Sequence, residues 1–126
     1  MKVFLIFIYV AIFGGLVVFA VIRVSAAKPP PWSAPAKNGR TGEIMRMIES
    51  GLSPNAEDQN GETLLSLAMK NGQLGTSKYL MSVGADPNHV NKQGQSILQS
   101  LENSAEDPNV ALWFKEQLAR RSIGNP

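Results

Sequence analysis

Acid-base or metal chemistry at neutral pH needs histidine, cysteine or clustered carboxylates, and this chain has few of them. His89 is its only histidine, it contains no cysteine, and paired carboxylates occur at Glu57-Asp58 and Glu106-Asp107. His89 follows Pro87-Asn88, a turn sequence, so it is expected at a solvated loop tip. The carboxylate pairs fall at turns and a helix start, where Asp and Glu favour capping. No metal-ligand spacing, phosphate-binding glycine loop or nucleophile motif is present. The residue pattern therefore points away from catalysis, cofactor or small-molecule substrate, and towards recognition.

The elements that must carry such recognition divide the 126 residues unevenly. From Val3 to Ile22 the chain reads VFLIFIYVAIFGGLVVFAVI, uncharged throughout. As a helix this run would be about 30 Å long, the thickness of a bilayer's hydrocarbon core. Residues 1–23 are accordingly expected to be a single-pass transmembrane anchor in a cell (inner) membrane. The alternative is a signal sequence, cleaved or retained, since Val24-Ser25-Ala26-Ala27 supplies small residues at a suitable place. Ala11 and Gly15 form a small-xxx-small pair through which other transmembrane helices can approach. Basic residues after the run (Arg23, Lys28, Lys37, Arg40) outnumber Lys2 before it, which leans towards a cytoplasmic C-terminal domain and leaves a periplasmic one open.

Lys2 and Arg23 account for the whole net charge of +2, leaving ten basic and ten acidic residues in 24–126. That balance lacks the basic footprint of nucleic-acid binding. The proline-rich KPPPWSAP, Lys28 to Pro35, predicts an extended spacer within a linker over residues 24–35.

Beyond the linker the sequence repeats itself at one constant offset. Gly39, Gly51 and Gly61 recur as Gly72, Gly84 and Gly94, and Asn38 and Asn55 recur as Asn71 and Asn88. In the same register Thr63 is matched by Ser96 and Leu65 by Leu98. A fixed period in this range marks a repeat architecture. Thr63 is a good N-cap for a helix over Leu64–Met69, and Asn71-Gly72 can end it in left-handed geometry. A second helix would bury Leu80 and Met81 and end at Gly84. Asp107-Pro108 reads as N-cap and first residue of a final helix, with Val110, Trp113, Phe114 and Leu118 inward and Lys115, Glu116, Arg120 and Arg121 outward.

The unit from Asp58 to Val90 resembles the ankyrin repeat. It carries Gly61, Thr63, Leu65 and Ala68 in the pattern G-x-T-x-L-x-x-A, then Asn71-Gly72, Leu80-Met81 and Gly84-Ala85-Asp86-x-Asn88. The resemblance implies an all-α fold: a short solenoid of about two and a half helix-turn-helix repeats over residues 36–121, with 122–126 as a tail. Trp32 is expected to fold down as an apolar lid on the incomplete first unit. Where the family has T-P-L-H, this chain has Thr63-Leu64-Leu65-Ser66 and Ser96-Ile97-Leu98-Gln99, so its loops are expected to be less well braced.

The resemblance further implies a protein partner bound by loop tips and first helices. Here those positions are Gln59, Asn60, Glu62, Lys70, Asn71, Lys92, Gln93, Gln95 and Asn103, with His89 and Val90 at a tip. The expected function is a non-catalytic interaction module, bacterial in type, that holds a partner at the membrane. The alternatives are a small accessory subunit of a larger membrane complex, and an exported periplasmic protector or inhibitor of a partner enzyme.

Overall fold

The computed structural model describes residues 4–13, 16–24, 27–104 and 107–124, with side chains from residue 27 onward. Two antiparallel strands come first, β1 (Phe4–Phe13) and β2 (Leu16–Val24). They pair from Phe13 opposite Leu16 to Phe4 opposite Val24, with an irregularity between Leu5 and Ile8. The helix expected over this run is corrected. Hydropathy does not distinguish the two backbones, but Val, Ile, Phe and Tyr dominate both segments and favour strands. The Gly14-Gly15 pair between them is a hairpin-type sequence. Ala11 lies in β1 opposite Val18, and Gly15 lies outside the described residues, so a helix-packing face for the pair is not part of the described structure. Among the described residues, no helix is long and apolar enough to cross a membrane.

The remaining described chain is helical. Six helices follow: α1 (Ser33–Lys37), α2 (Thr41–Glu49), α3 (Leu64–Lys70), α4 (Leu74–Ser82), α5 (Ile97–Ser104) and α6 (Pro108–Ile123). They pair in sequence order and repeat at a fixed interval. The offset that separates Gly39 from Gly72 also separates both ends of α2 from those of α4, and the start of α3 from the start of α5. Helix α3 packs between α1 and α5, while α2 packs on α4 and α5 on α6. First helices thus form one layer and second helices the other. All six residues from Leu64 to Met69 are buried, as a helix covered on both sides requires. Ile44, Leu80, Met81, Ile97, Leu101, Val110 and Phe114 complete the core around it.

Both ends of the array depart from its middle. Trp32, Ser33, Pro35 and Ala36 are buried, so residues read as linker belong to the folded unit, and Trp32 closes the first pair. At the other end Asp107 caps α6 by accepting from the Asn109 amide at 2.9 Å, with Pro108 in the first turn. Helix α6 buries Val110 and Phe114, half-buries Trp113 and Leu118, and exposes Lys115, Glu116, Arg120 and Arg121. Arg121 also reaches across to α4 and donates to the Met81 carbonyl at 2.9 Å.

The loops are better braced than the missing T-P-L-H residues suggest. Thr63 and Ser66 form a capping box: the Ser66 amide donates to Thr63 Oγ1 and the Thr63 amide to Ser66 Oγ. Ser96 and Gln99 reproduce it in the next unit. Serine and glutamine thus satisfy the helix-start donors in place of histidine. Between units, the Lys92 amide donates to the Asn60 carbonyl at 3.1 Å. That approach depends on Gly61, whose φ is +75° and where a Cβ would stand 2.8 Å from the Lys92 nitrogen. Gly72 also has positive φ, but a Cβ there would meet nothing within 4 Å. Gly61→Ala is therefore expected to lose about 2–3 kcal/mol of stability against about 1 kcal/mol for Gly72→Ala, as urea denaturation of the two variants would show.

Candidate functional site

Within each loop one side chain organises the turn. Asp58 Oδ1 accepts from the Asn60 and Glu62 amides, and Asn91 Oδ1, at the equivalent place in the next unit, accepts from the Gln93 and Gln95 amides. Both loops close with isolated β-bridges, Glu57 with Thr63 and Val90 with Ser96. Asn55 ties the outer turns: its amide donates to the Gly84 carbonyl and its oxygen accepts from the Asp86 amide. Successive loops therefore stack in register, holding the first-helix layer at a set angle to them.

Where the loops meet that layer, the surface folds into a groove. A hollow of about 390 Å³ is lined by Lys70, Asn71, Gln95, Ser100, Asn103 and Ser104. A second, of about 210 Å³, continues beside it from Lys70 and Asn71 to Leu101 and Val110. The lining mixes amides and hydroxyls with apolar groups, and carries the Lys70 cation and, at the end of the smaller hollow, the Asp107 carboxylate. Lys70 is not a free cation, because its ammonium pairs with the Glu62 carboxylate, which also accepts from Asn91 Nδ2 at 3.1 Å. Burial acts to raise the pKa of Glu62. Hydrogen bonds from Lys70, Ser66 and Asn91, with the Lys70 charge, outweigh it and hold the carboxyl below its usual value of 4.5.

The structure gathers some of the expected recognition residues and separates others. Lys70, Asn71, Gln95 and Asn103 share the groove. Gln59, Asn60, Val90, Lys92 and Gln93 lie along the stacked loops, and Gln59 Nε2 donates to the Lys28 carbonyl at 2.8 Å. Glu62 is corrected from a surface position to a buried one, 9% exposed, because its carboxylate is held within the fold by Lys70 and Asn91. His89 is corrected from a solvated tip to a partly buried brace. Its Nε2 lies 2.8 Å from the Gly61 carbonyl and 3.2 Å from Glu57 Oε1. A ring nitrogen facing two acceptors binds one loop to the next, holding the approach that Gly61 makes possible.

Ser100 and Ser104 also line the groove, beyond the positions expected from the sequence. The repeat contains the signal: Asn103 and Ser104 stand one full period after Lys70 and Asn71. Ser100 falls one helical turn before Ser104 and so shares its face. Among the described residues, no group of three or more His, Asp or Glu side chains is arranged to hold a metal ion. No protein-family model matches the chain, and no curated protein matches it in sequence.

The Glu62 pairing has a pH signature. A carboxyl with a depressed pKa contributes stability that is complete above its ordinary pKa and is lost as pH falls through the lowered one. Glu62→Gln is expected to destabilise the domain by about 1–2 kcal/mol at neutral pH. It is also expected to remove part of the stability loss below the usual 4.5. Melting temperatures of both proteins, followed by circular dichroism from neutral to acid pH, check both effects.

Proposed function

We propose that this chain is a short ankyrin-type repeat array, held at a membrane by its apolar N-terminal segment, that binds a partner protein in the polar groove over α3 and α5. The observation that carries this reading is the agreement of the periodicity in the sequence with that of the fold. Glycines and capping residues recur at a constant offset in the sequence, and helix starts, β-bridges and positive-φ glycines recur at the same interval in the structure. Arrays of this kind present a continuous surface made from equivalent positions of successive units. The groove is such a surface, built from Lys70 and Asn71 and from their equivalents Asn103 and Ser104.

The chemistry of the lining constrains the partner. Glu62 neutralises Lys70, so the larger hollow offers amides and hydroxyls rather than net charge, and the Asp107 carboxylate lies at the end of the smaller one. Such a surface selects a partner by hydrogen-bond geometry, because an unmatched polar group loses its water without replacement. No enzymatic step is assigned, and the reading is of a non-catalytic module.

Membrane attachment is supported by the twenty uncharged residues from Val3 to Ile22. In hydrocarbon the two outer edges of a lone hairpin would leave backbone groups unpaired at several kcal/mol each. Insertion of the strand pair therefore requires partner strands at both edges. The basic residues that follow the segment favour a cytoplasmic array.

A photo-crosslinking residue placed at Asn103 in the full chain, in the cells that produce it, tests the groove, with Glu116 on the outer face of α6 as control. A discrete adduct from Asn103 that is absent from Glu116 is expected. No adduct, or the same adducts from both positions, would remove the groove as the binding surface. Protease digestion of a C-terminal tag before and after permeabilisation tests orientation, with protection before permeabilisation as the expected result.

A further inference from the structure

The outer face of the first helix pair differs from the rest of the surface. A hollow of about 350 Å³ lies there between Pro31, Trp32, Arg46, Met47, Ser50 and Leu52. Its lining is largely apolar. A middle unit would have this face covered by the preceding unit. Here no described unit precedes the first pair, and Trp32 alone folds over part of the face.

Two further observations point to what covers it. The first is reach. Gln59 Nε2 holds the Lys28 carbonyl, so the folded part begins four residues after Val24. Four residues span at most about 14 Å, which keeps the first pair close to the end of the apolar segment. The second is charge. Residues 23–50 carry five basic side chains (Arg23, Lys28, Lys37, Arg40, Arg46) against Glu43 and Glu49, a net of +3, whereas residues 51–126 carry six basic against eight acidic, a net of −2. Charge is thus uneven along the chain, its positive stretch following the apolar segment and placing Arg46 in the hollow itself.

We propose that this face rests on the membrane itself, its cations against anionic lipid headgroups and its apolar hollow against the upper acyl chains. The inference rests on the membrane attachment proposed above and adds an orientation to it. Anionic lipid attracts juxtamembrane Lys and Arg individually, and the benefit falls away within a Debye length. A tether of about 14 Å keeps the face near that range. With this end down, the acidic remainder and the polar groove over α3 and α5 point away from the lipid.

The test uses the full chain carrying Trp113→Phe, which leaves Trp32 as the single tryptophan. It is mixed with vesicles of phosphatidylcholine and phosphatidylglycerol in equal parts, with brominated acyl chains. The expected result is that the protein sediments with the vesicles and Trp32 emission is quenched. Arg46→Glu should leave sedimentation unchanged and cut the quenching by roughly half. Sedimentation without quenching would overturn this inference and leave the attachment standing. Failure to sediment would remove the attachment and this inference with it. Equal quenching by vesicles of phosphatidylcholine alone would overturn the role of charge. Shielding of Trp32 that grows with protein concentration in the absence of vesicles would assign the face to a second copy of the chain. Should Trp113→Phe not fold, hydrogen exchange of the unsubstituted chain supplies the same reading: amides of residues 45–52 slow with anionic vesicles if the face docks, and do not change if it does not.

Discussion

Everything in the helical part depends on how closely one loop can lie on the next. The Lys92 amide reaches the Asn60 carbonyl only because Gly61 has no side chain in the way, and His89 fixes the same contact from the other side. This registers the whole of one unit on its neighbour. Once the loops are aligned, α3 falls between α1 and α5, and its leucines and Met69 find cover on both flanks. Buried apolar area supplies most of the stability, but loop contact decides which surfaces are brought together.

The polar groups follow the same plan. Asp58 and Asn91 fold their loops through equivalent pairs of amides, and the capping boxes of α3 and α5 use different side chains for one purpose. Glu62 is the exception. It lies where the next unit has Gln95, and its buried charge is held by Lys70 and Asn91 from two successive units. A charge in that place adds little net stability over an apolar substitute, yet it fits only one arrangement of neighbours.

Much of this was legible in the sequence because it is written twice. Recurrence of Gly51 as Gly84 and Gly61 as Gly94 marks turns without any knowledge of tertiary structure, and Asp107-Pro108 marks a helix start by local chemistry alone. What was not legible required information beyond local pattern. Hydropathy is the same for a strand and a helix, so the length of the Val3–Ile22 run spoke for a span while its β-branched content spoke for strands. Glu62 reads as a loop residue until α3 brings Lys70 back to it, and His89 reads as a tip until the Gly61 carbonyl of the preceding loop is seen beside it. Helix α1 was obscured by prolines, which argue against helix interior but are tolerated in a first turn, although Trp32 could be read as a lid from its apolar bulk. Lys70, Asn71, Gln95 and Asn103 could be placed in the groove by register, and the same register extends to Ser104 as the equivalent of Asn71, whereas Ser100 follows only once its shared helix face with Ser104 is known.

The unequal lengths of the end helices bear on the order in which the array assembles. Helix α1 has five residues and α6 has sixteen, so the C-terminal end carries the larger share of the closing surface. Phe114 and Val110 complete the cover over α5, and Arg121 joins α6 to α4. Synthesis proceeds from the other end, so the apolar segment and the small first pair leave the ribosome while that surface is still missing. An array whose units are stable only on their neighbours cannot close until its last helix arrives. The nascent chain thus emerges with the groove over α3 and α5 unformed, and the groove takes shape only once α6 has been made.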